Sequence, residues 1–225
     1  MAVIANDMNT AQFYTFFTYK KEGVRMSDHY YSQQPHSKSS PRTWKYKLRE
    51  NVFTFTSDMG VFSKDTVDFG SRLLIEKFLE PPLAGDLLDL GCGYGPIGIA
   101  LATSFPDRTV VLTDVNERAL ELATINLRTN NVQNAEVVQS NRFDQLAGRK
   151  FAAILTNPPI RSGKQNIHAM IEEGKAALLP QGEFWAVIQK KQGAPSYKQK
   201  LLDVFNNAET IAKDKGYYIF KAINI

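Results

Sequence analysis

At 225 residues the chain suits one sizeable domain plus a small addition, and 43% hydrophobic content supports a buried core. No apolar run approaches the roughly 20 residues that cross a bilayer, and the longest candidates are broken by charge or proline, so no membrane-spanning helix is expected. A single cysteine, Cys92, excludes an internal disulfide framework and a cysteine zinc cage, which suits the cytoplasm, and the formal charge of +4 permits but does not demand a polyanionic partner.

Residues 1–25 read unlike the rest. The aromatic stretch Phe13-Tyr14-Thr15-Phe16-Phe17 precedes Lys20 and Lys21, the reverse of a signal peptide's order, so secretion is not expected. Met26 opens a polar, serine-rich segment and reads as the natural start, with 1–25 an upstream extension or cloning remnant. The segment 26–57 carries alternating residues in Trp44-Lys45-Tyr46-Lys47-Leu48 and Val52-Phe53-Thr54-Phe55, the pattern of an antiparallel hairpin turning at 49–51. It is expected as an appendage to a main domain over 58–225.

Helical spacing through Val67, Leu73, Leu74 and Phe78 predicts a helix over 65–79, ended by Pro81-Pro82. Strand and helix then alternate, with strands at 86–90, 109–114, 135–139, 151–156 and 183–189. Helices are expected at 96–104, 116–129, 164–179 and 197–206. A final pair at 210–213 and 217–222, turning at Lys215-Gly216, closes the sheet as a hairpin. The pattern is that of an α/β protein with a Rossmann-like, doubly wound, mostly parallel seven-stranded sheet and an N-terminal β-hairpin.

The strand at 86–90 runs straight into Asp89-Leu90-Gly91-Cys92-Gly93-Tyr94-Gly95, which places a glycine loop at its C-terminal end, where open parallel sheets bind ligands. Pro96 suits the first turn of the following helix, whose free N–H groups suit an anion such as an amino-acid carboxylate. Gly93-Tyr94-Gly95-Pro96-Ile97-Gly98 also spells the dinucleotide fingerprint, with Asp114 at the required interval. Dinucleotide loops usually put the first glycine directly after the strand; in that register the third glycine falls on Pro96. Asp89 also fits a cationic amine better than a pyrophosphate, so S-adenosyl-L-methionine is favoured over a nicotinamide cofactor. Asp114 is expected to accept from two ribose hydroxyls, the alternative being a helix cap near Asn116. Asn141, after the third strand, is a candidate for the adenine amino group, although turn chemistry favours asparagine there equally. Cys92 reads as a small loop filler. His29, His36 and His168 lack metal-like spacing, and no metal is expected.

Asn157-Pro158-Pro159-Ile160 follows the buried run Phe151-Ala152-Ala153-Ile154-Leu155-Thr156, and its two prolines fix successive φ angles. The Asn157 side-chain oxygen and the Pro158 carbonyl then offer two acceptors in fixed geometry to one exocyclic amine. Such an amine is a poor nucleophile because its lone pair is delocalised; accepting both N–H bonds lets the nitrogen pyramidalise towards a sulfonium methyl group. No general base is required, since the nitrogen becomes strongly acidic only once alkylated.

With these residues the chain resembles the small-domain class of S-adenosylmethionine-dependent methyltransferases, most closely the bacterial 16S ribosomal RNA guanine-N2 methyltransferases. The likeness runs from about His29 to the C-terminus and includes Gly60-Val61-Phe62-Ser63, Asp68-Phe69-Gly70-Ser71, the glycine loop, Asp114, Asn157 to Ile160 and Val187-Ile188-Gln189-Lys190-Lys191-Gln192-Gly193. The resemblance implies that 60–71 folds over the donor with Phe62 and Ser71 near it, and that Asp89, Gly91, Cys92, Gly93, Gly95, Asp114, Val115, Asn141 and Asn157 surround it. It implies a guanine N2 target in small-subunit ribosomal RNA, and the basic residues Lys45, Lys47, Arg161, Lys164, Lys190 and Lys191 are expected to contact phosphates. Adenine-N6 and glutamine-N5 enzymes share the Asn-Pro-Pro element, and an inactive RNA-binding module on the same fold is a further alternative. Ile160 departs from the aromatic residue that commonly follows the prolines and stacks on the target ring.

Overall fold

The structure, a computed structural model, describes residues 38–63 and 65–225. The expectations for 1–25 and for Met26 lie outside the described residues. The hairpin consists of β1 (Arg42–Leu48) and β2 (Asn51–Ser57), antiparallel with Trp44 opposite Phe55 and Tyr46 opposite Phe53. Leu48, Phe53 and Phe55 are buried on one face while Val52 is exposed, the period-2 pattern of a half-buried ribbon.

That ribbon is seated on the domain by two amide side chains of α3 (Glu117–Thr129) and its C-cap. The Thr56 N–H donates to Asn126 Oδ1 at 2.7 Å, and Asn126 Nδ2 donates back to the Thr56 carbonyl at 2.8 Å. Asn130 does the same for Thr54, at 2.9 Å in each direction. The free edge of β2 thus finds its partners in side chains, and the hairpin's buried face joins the main core.

The main sheet contains β3 (Asp86–Leu90), β4 (Val110–Asp114), β5 (Ala135–Gln139), β6 (Phe151–Thr156), β7 (Leu178–Gln189), β8 (Glu209–Asp214) and β9 (Tyr217–Ile223). Their spatial order is β5-β4-β3-β6-β7-β9-β8, parallel except for β9, which pairs antiparallel with both β7 and β8. Residues alternate between two cores. Leu87, Leu112, Leu155 and Val187 face α1 (Phe69–Lys77), α2 (Pro96–Ser104) and α3; Leu88, Val111, Ile154 and Ile188 face α4 (Lys164–Ala177) and α5 (Ala194–Phe205). Burial on both faces explains why β6 reads as a continuous apolar run.

Three boundaries differ from expectation for physical reasons. The first helix begins at Phe69, because the Asp68 carboxylate caps it by accepting from the Gly70 and Ser71 N–H groups at 2.8 and 2.9 Å. The fourth helix ends at Ala177, and β7 starts at Leu178, ahead of Gln181 in a left-handed conformation (φ 67°). The fifth helix starts at Ala194 with Pro195 in its first turn.

The chain proceeds outward from β3 to β4 and β5, then returns to place β6 on the other side of β3. Strand order therefore reverses between β3 and β6, and the crevice at their C-terminal ends is the topological switch point. Asp89 lies beside Leu155 in that pairing, so the glycine loop and Asn157 emerge as neighbours.

Candidate active site

A cavity of about 900 Å³ opens over these strand ends. The Gly91 and Cys92 N–H groups each donate to the Thr113 carbonyl at 2.8 Å, which folds the loop back over β4. Gly91 (φ 76°) and Gly93 (φ 57°) both line the cavity in left-handed conformations, and a Cβ on either would meet nothing within 4 Å. The cradle is therefore bare backbone facing open space. Gly95 has another role: it is the N-cap of α2, and a Cβ there would press on Ile99 and Leu112 at 3.1 Å, behind the cavity wall.

Asp114, on the wall, accepts from the Gly93 N–H through Oδ2 at 2.9 Å and from the Asn116 N–H through Oδ1 at 2.9 Å. Each carboxylate oxygen retains a lone pair for a ligand hydroxyl. The alternative role as helix cap falls instead to Asn116, whose Oδ1 accepts from the Ala119 N–H at 3.2 Å. Burial raises the Asp114 carboxyl above its ordinary range, opposed by N–H bonds from Asn116, Gly93 and Val115.

Asp89 stands behind the loop, away from the cavity wall. Its side chain is fully buried, Oδ2 accepts from the Gly98 N–H at 2.8 Å, and Oδ1 makes no hydrogen bond among the described residues. Burial pushes its pKa up to about 7. The Gly98 bond holds α2 onto β3 and leaves Oδ1 without a partner among the described residues. Cys92 is buried, and burial together with the Asp89 and Asp114 charges pushes its thiol up, away from nucleophilic chemistry.

Asn157, Pro158, Pro159 and Ile160 line the opposite wall. Asn157 Nδ2 donates to Asp68 Oδ2 at 2.8 Å and to Ser71 Oγ at 3.0 Å. An ionised carboxylate only accepts, so the amide orientation is set: nitrogen towards Asp68, Oδ1 left available. Neither Asn157 Oδ1 nor the Pro158 carbonyl accepts a hydrogen bond from the described residues. The Thr156 hydroxyl donates to the Leu90 carbonyl at 2.8 Å, locking the end of β6 to the start of the glycine loop.

Phe62, Ser71, Val115 and Asn141 also line the cavity, as does Arg161. Bonds that hold the loop bearing Phe62 over it include Asn116 Nδ2 to the Gly60 carbonyl at 3.0 Å, Arg118 Nη1 to the Met59 carbonyl at 2.7 Å and the Tyr94 hydroxyl to the Thr66 carbonyl at 3.1 Å. Asn141 Nδ2 donates to Asp144 at 3.2 Å. Lys164 begins α4, and Lys190 and Lys191 lie in a 3-10 turn (Lys190–Gln192) whose Gln192 reaches the wall. Lys45 and Lys47 sit on β1, off the wall, with Lys47 paired to Glu50 at 3.5 Å. Sequence reasoning missed Asp68 as a site residue, together with Arg142, Asn166 and Tyr217. Arg142 binds Glu173 through Nε at 2.9 Å and Asn166 Oδ1 at 2.9 Å. The signal for Asp68 was an aspartate directly ahead of the helical run, a residue type favoured at helix N-caps. Among the described residues no cluster of His, Cys, Asp and Glu suits a metal, and no helix is long and apolar enough to cross a membrane.

The cradle suits S-adenosyl-L-methionine. Backbone at Gly91 and Gly93 admits close approach, and Asp114 offers acceptors to hydroxyls. Comparison with known proteins agrees. The family model of the methyltransferase small domain matches residues 52–221. The chain is 54% identical over 198 residues to the uncharacterized protein YbxB of Bacillus subtilis strain 168, covering 88% of this chain and 98% of that one. It is 28% identical to the ribosomal RNA large subunit methyltransferase G of Streptomyces avermitilis over 82% of this chain and 50% of that one. The solved structure of the T. thermophilus 16S rRNA guanine-N2 methyltransferase RsmC, in complex with AdoMet and guanosine, superposes with a TM-score of 0.74 at 27% identity. That superposition covers 82% of this chain and 51% of that chain, so the chain spans about half the length of both ribosomal RNA enzymes. With the family model covering most of its length, the chain belongs to the methyltransferase small domain family.

Proposed function

We propose that the chain transfers the methyl group of S-adenosyl-L-methionine to the exocyclic N2 amine of a guanine in small-subunit ribosomal RNA. The observation that carries this reading is the locked Asn157 amide, whose Oδ1 is left available beside the Pro158 carbonyl on the wall of the glycine-lined cavity. When bound, S-adenosyl-L-methionine supplies an electrophilic methyl group on a sulfonium. Gly91, Gly93 and Asp114 hold the donor; Asn157 Oδ1 and the Pro158 carbonyl accept the two N–H bonds of the amine and aim its lone pair. Asp68 and Ser71 keep the Asn157 nitrogen turned away, so that an acceptor and not a donor meets the amine. The amine proton becomes acidic only after the N–C bond forms, and no dedicated base is required.

Support for a ribosomal RNA target comes from the two relatives named as ribosomal RNA methyltransferases, and support for guanine in the small subunit from the 16S rRNA enzyme bound to guanosine. The same pair of acceptors would serve adenine N6 or glutamine N5, and Ile160, in place of a stacking aromatic, leaves that choice to experiment. Hypomethylated 30S subunits, 50S subunits and a glutamine-bearing translation factor are incubated with tritiated donor. Label in 16S RNA, mapping to N2-methylguanosine, supports the proposal; label in protein alone overturns it, as does transfer to adenine.

A further inference from the structure

We propose that single-stranded RNA enters across the C-terminal edge of β7 and the β8–β9 turn, with Arg72, Lys190, Lys191 and Lys215 holding its phosphates. This rests on the methylation of RNA proposed above and adds the face by which the strand arrives.

Three segments distant in sequence meet at this edge. The Lys190 N–H donates to the Gly216 carbonyl at 2.7 Å, joining the turn after β7 to the β8–β9 turn. The Tyr217 ring lies 5.4 Å from Phe69, at the start of α1, and Tyr217 and Gln192 both form part of the cavity wall. The Arg72 guanidinium sits 4.9 Å from the centre of the Phe69 ring, and Lys215 Nζ 5.2 Å from it. Two cations are thus laid against one aromatic ring, which reduces the freedom they would lose on gripping a phosphate.

Charge pairing among the described residues leaves the cations of this edge unmatched, as it does Lys45, Lys77 and Arg128 elsewhere, so what singles the edge out is the junction of the two turns beside the cavity wall. Arg42, Lys47, Arg149 and Lys200 are matched to carboxylates, whereas Arg72, Lys190, Lys191 and Lys215 form no ion pair among the described residues. Acids on the same segments include Asp214, next to Lys215, Asp68, inside the cavity and bound to Asn157, and Glu76, one turn along α1 from Arg72 and accepting from the Arg49 N–H. Arg161 and Lys164 lie on the Asn157 side of the opening, so cations flank the entry from two directions. A guanine amine paired in a duplex cannot reach a concave wall without leaving its stack, so the strand that fits is single or locally opened. On the hairpin Lys47 is paired with Glu50, and neither Lys45 nor Lys47 belongs to the turns that meet at this edge.

The test compares the triple variant Lys190→Glu, Lys191→Glu, Lys215→Glu with the double variant Lys77→Glu, Arg128→Glu, two exposed cations off the cavity wall, using fluorescence anisotropy on a labelled single-stranded RNA across a salt series. The triple variant is expected to bind at least tenfold more weakly and to lose about 2 from the slope of log affinity against log salt, at roughly 0.7 per phosphate contact. The double variant is expected to bind within about twofold of the parent, and calorimetry with S-adenosyl-L-methionine confirms that each variant holds its donor site. A triple Lys→Gln set, read the same way, replaces the Glu set if the latter unfolds. Parental RNA affinity in the triple variant overturns the docking surface while leaving RNA methylation intact. A parent that binds an acidic peptide and no RNA overturns both.

Discussion

Around the ends of β3 and β4 the cavity is shaped by backbone: Gly91 and Gly93 present no side chain, and Asp114 braces the loop through the Gly93 N–H. Around the end of β6 it is shaped by side chains drawn together from afar, since Asn157 is held by residues 89 and 86 positions earlier in the chain. The first region is local and rigid, and serves to admit a ligand closely. The second depends on long-range assembly and sets the direction of a hydrogen bond. Binding and turnover should therefore fail separately when each is damaged.

The largest separation is expected for Asn157→Ala. Turnover should drop at least tenfold with donor affinity unchanged, as for removal of a transition-state acceptor, read by single-turnover kinetics and calorimetry. Unchanged turnover would remove Asn157 from the mechanism. Asp68→Asn sharpens the comparison, because asparagine still caps α1 but presents one NH2 where Asp68 offers acceptors to Ser71 N–H and Asn157 Nδ2. The expected outcome is a fall in kcat of about tenfold with KM for the donor within about threefold and little change in melting temperature. A purely structural role would instead lower the melting temperature and leave kcat alone.

Damage to the other region should show the reverse split. Asp114→Ala removes the brace on Gly93 and the acceptors facing the cavity, so donor affinity should weaken by about tenfold by calorimetry, while kcat at saturating donor stays within about threefold. Equal losses in affinity and kcat would show the two regions to be one unit.

How much of this was legible follows the same division. The strand ends and the glycine loop are written in contiguous residues, because a buried parallel strand leaves a run of apolar side chains and a tight turn demands glycine. Asp114 and Asn157 were legible as the polar residues that close such runs. The Asp68–Asn157 bond was not, because nothing in either local pattern specifies a partner across the sheet. The bond from Gly98 to Asp89 was not legible for a related reason. The Asp89 carboxylate reads as available until the Gly98 N–H, nine residues on, is folded against it.

Asp89 supplies an effect read on stability alone. Its folded pKa, about 7, lies above the ordinary carboxylate value of 3.8, so the folded state holds a proton that the unfolded chain releases as pH rises. Its contribution to stability is fully present below about pH 4 and lost as pH climbs towards 7. Asp89→Asn keeps an acceptor for Gly98 and removes the titration. Relative to this variant the parent should melt at progressively lower temperature from pH 4 to 7; a constant difference would contradict the assignment.

The most direct measurement is a crystal structure of the chain with S-adenosylhomocysteine and guanosine. The nucleoside cofactor is expected along Gly91, Gly93 and Asp114, and the guanine N2 within hydrogen-bond distance of both Asn157 Oδ1 and the Pro158 carbonyl, with the Asn157 nitrogen still on Asp68. Guanosine bound elsewhere, or an Asn157 amide turned so that its nitrogen faces the ligand, would contradict it.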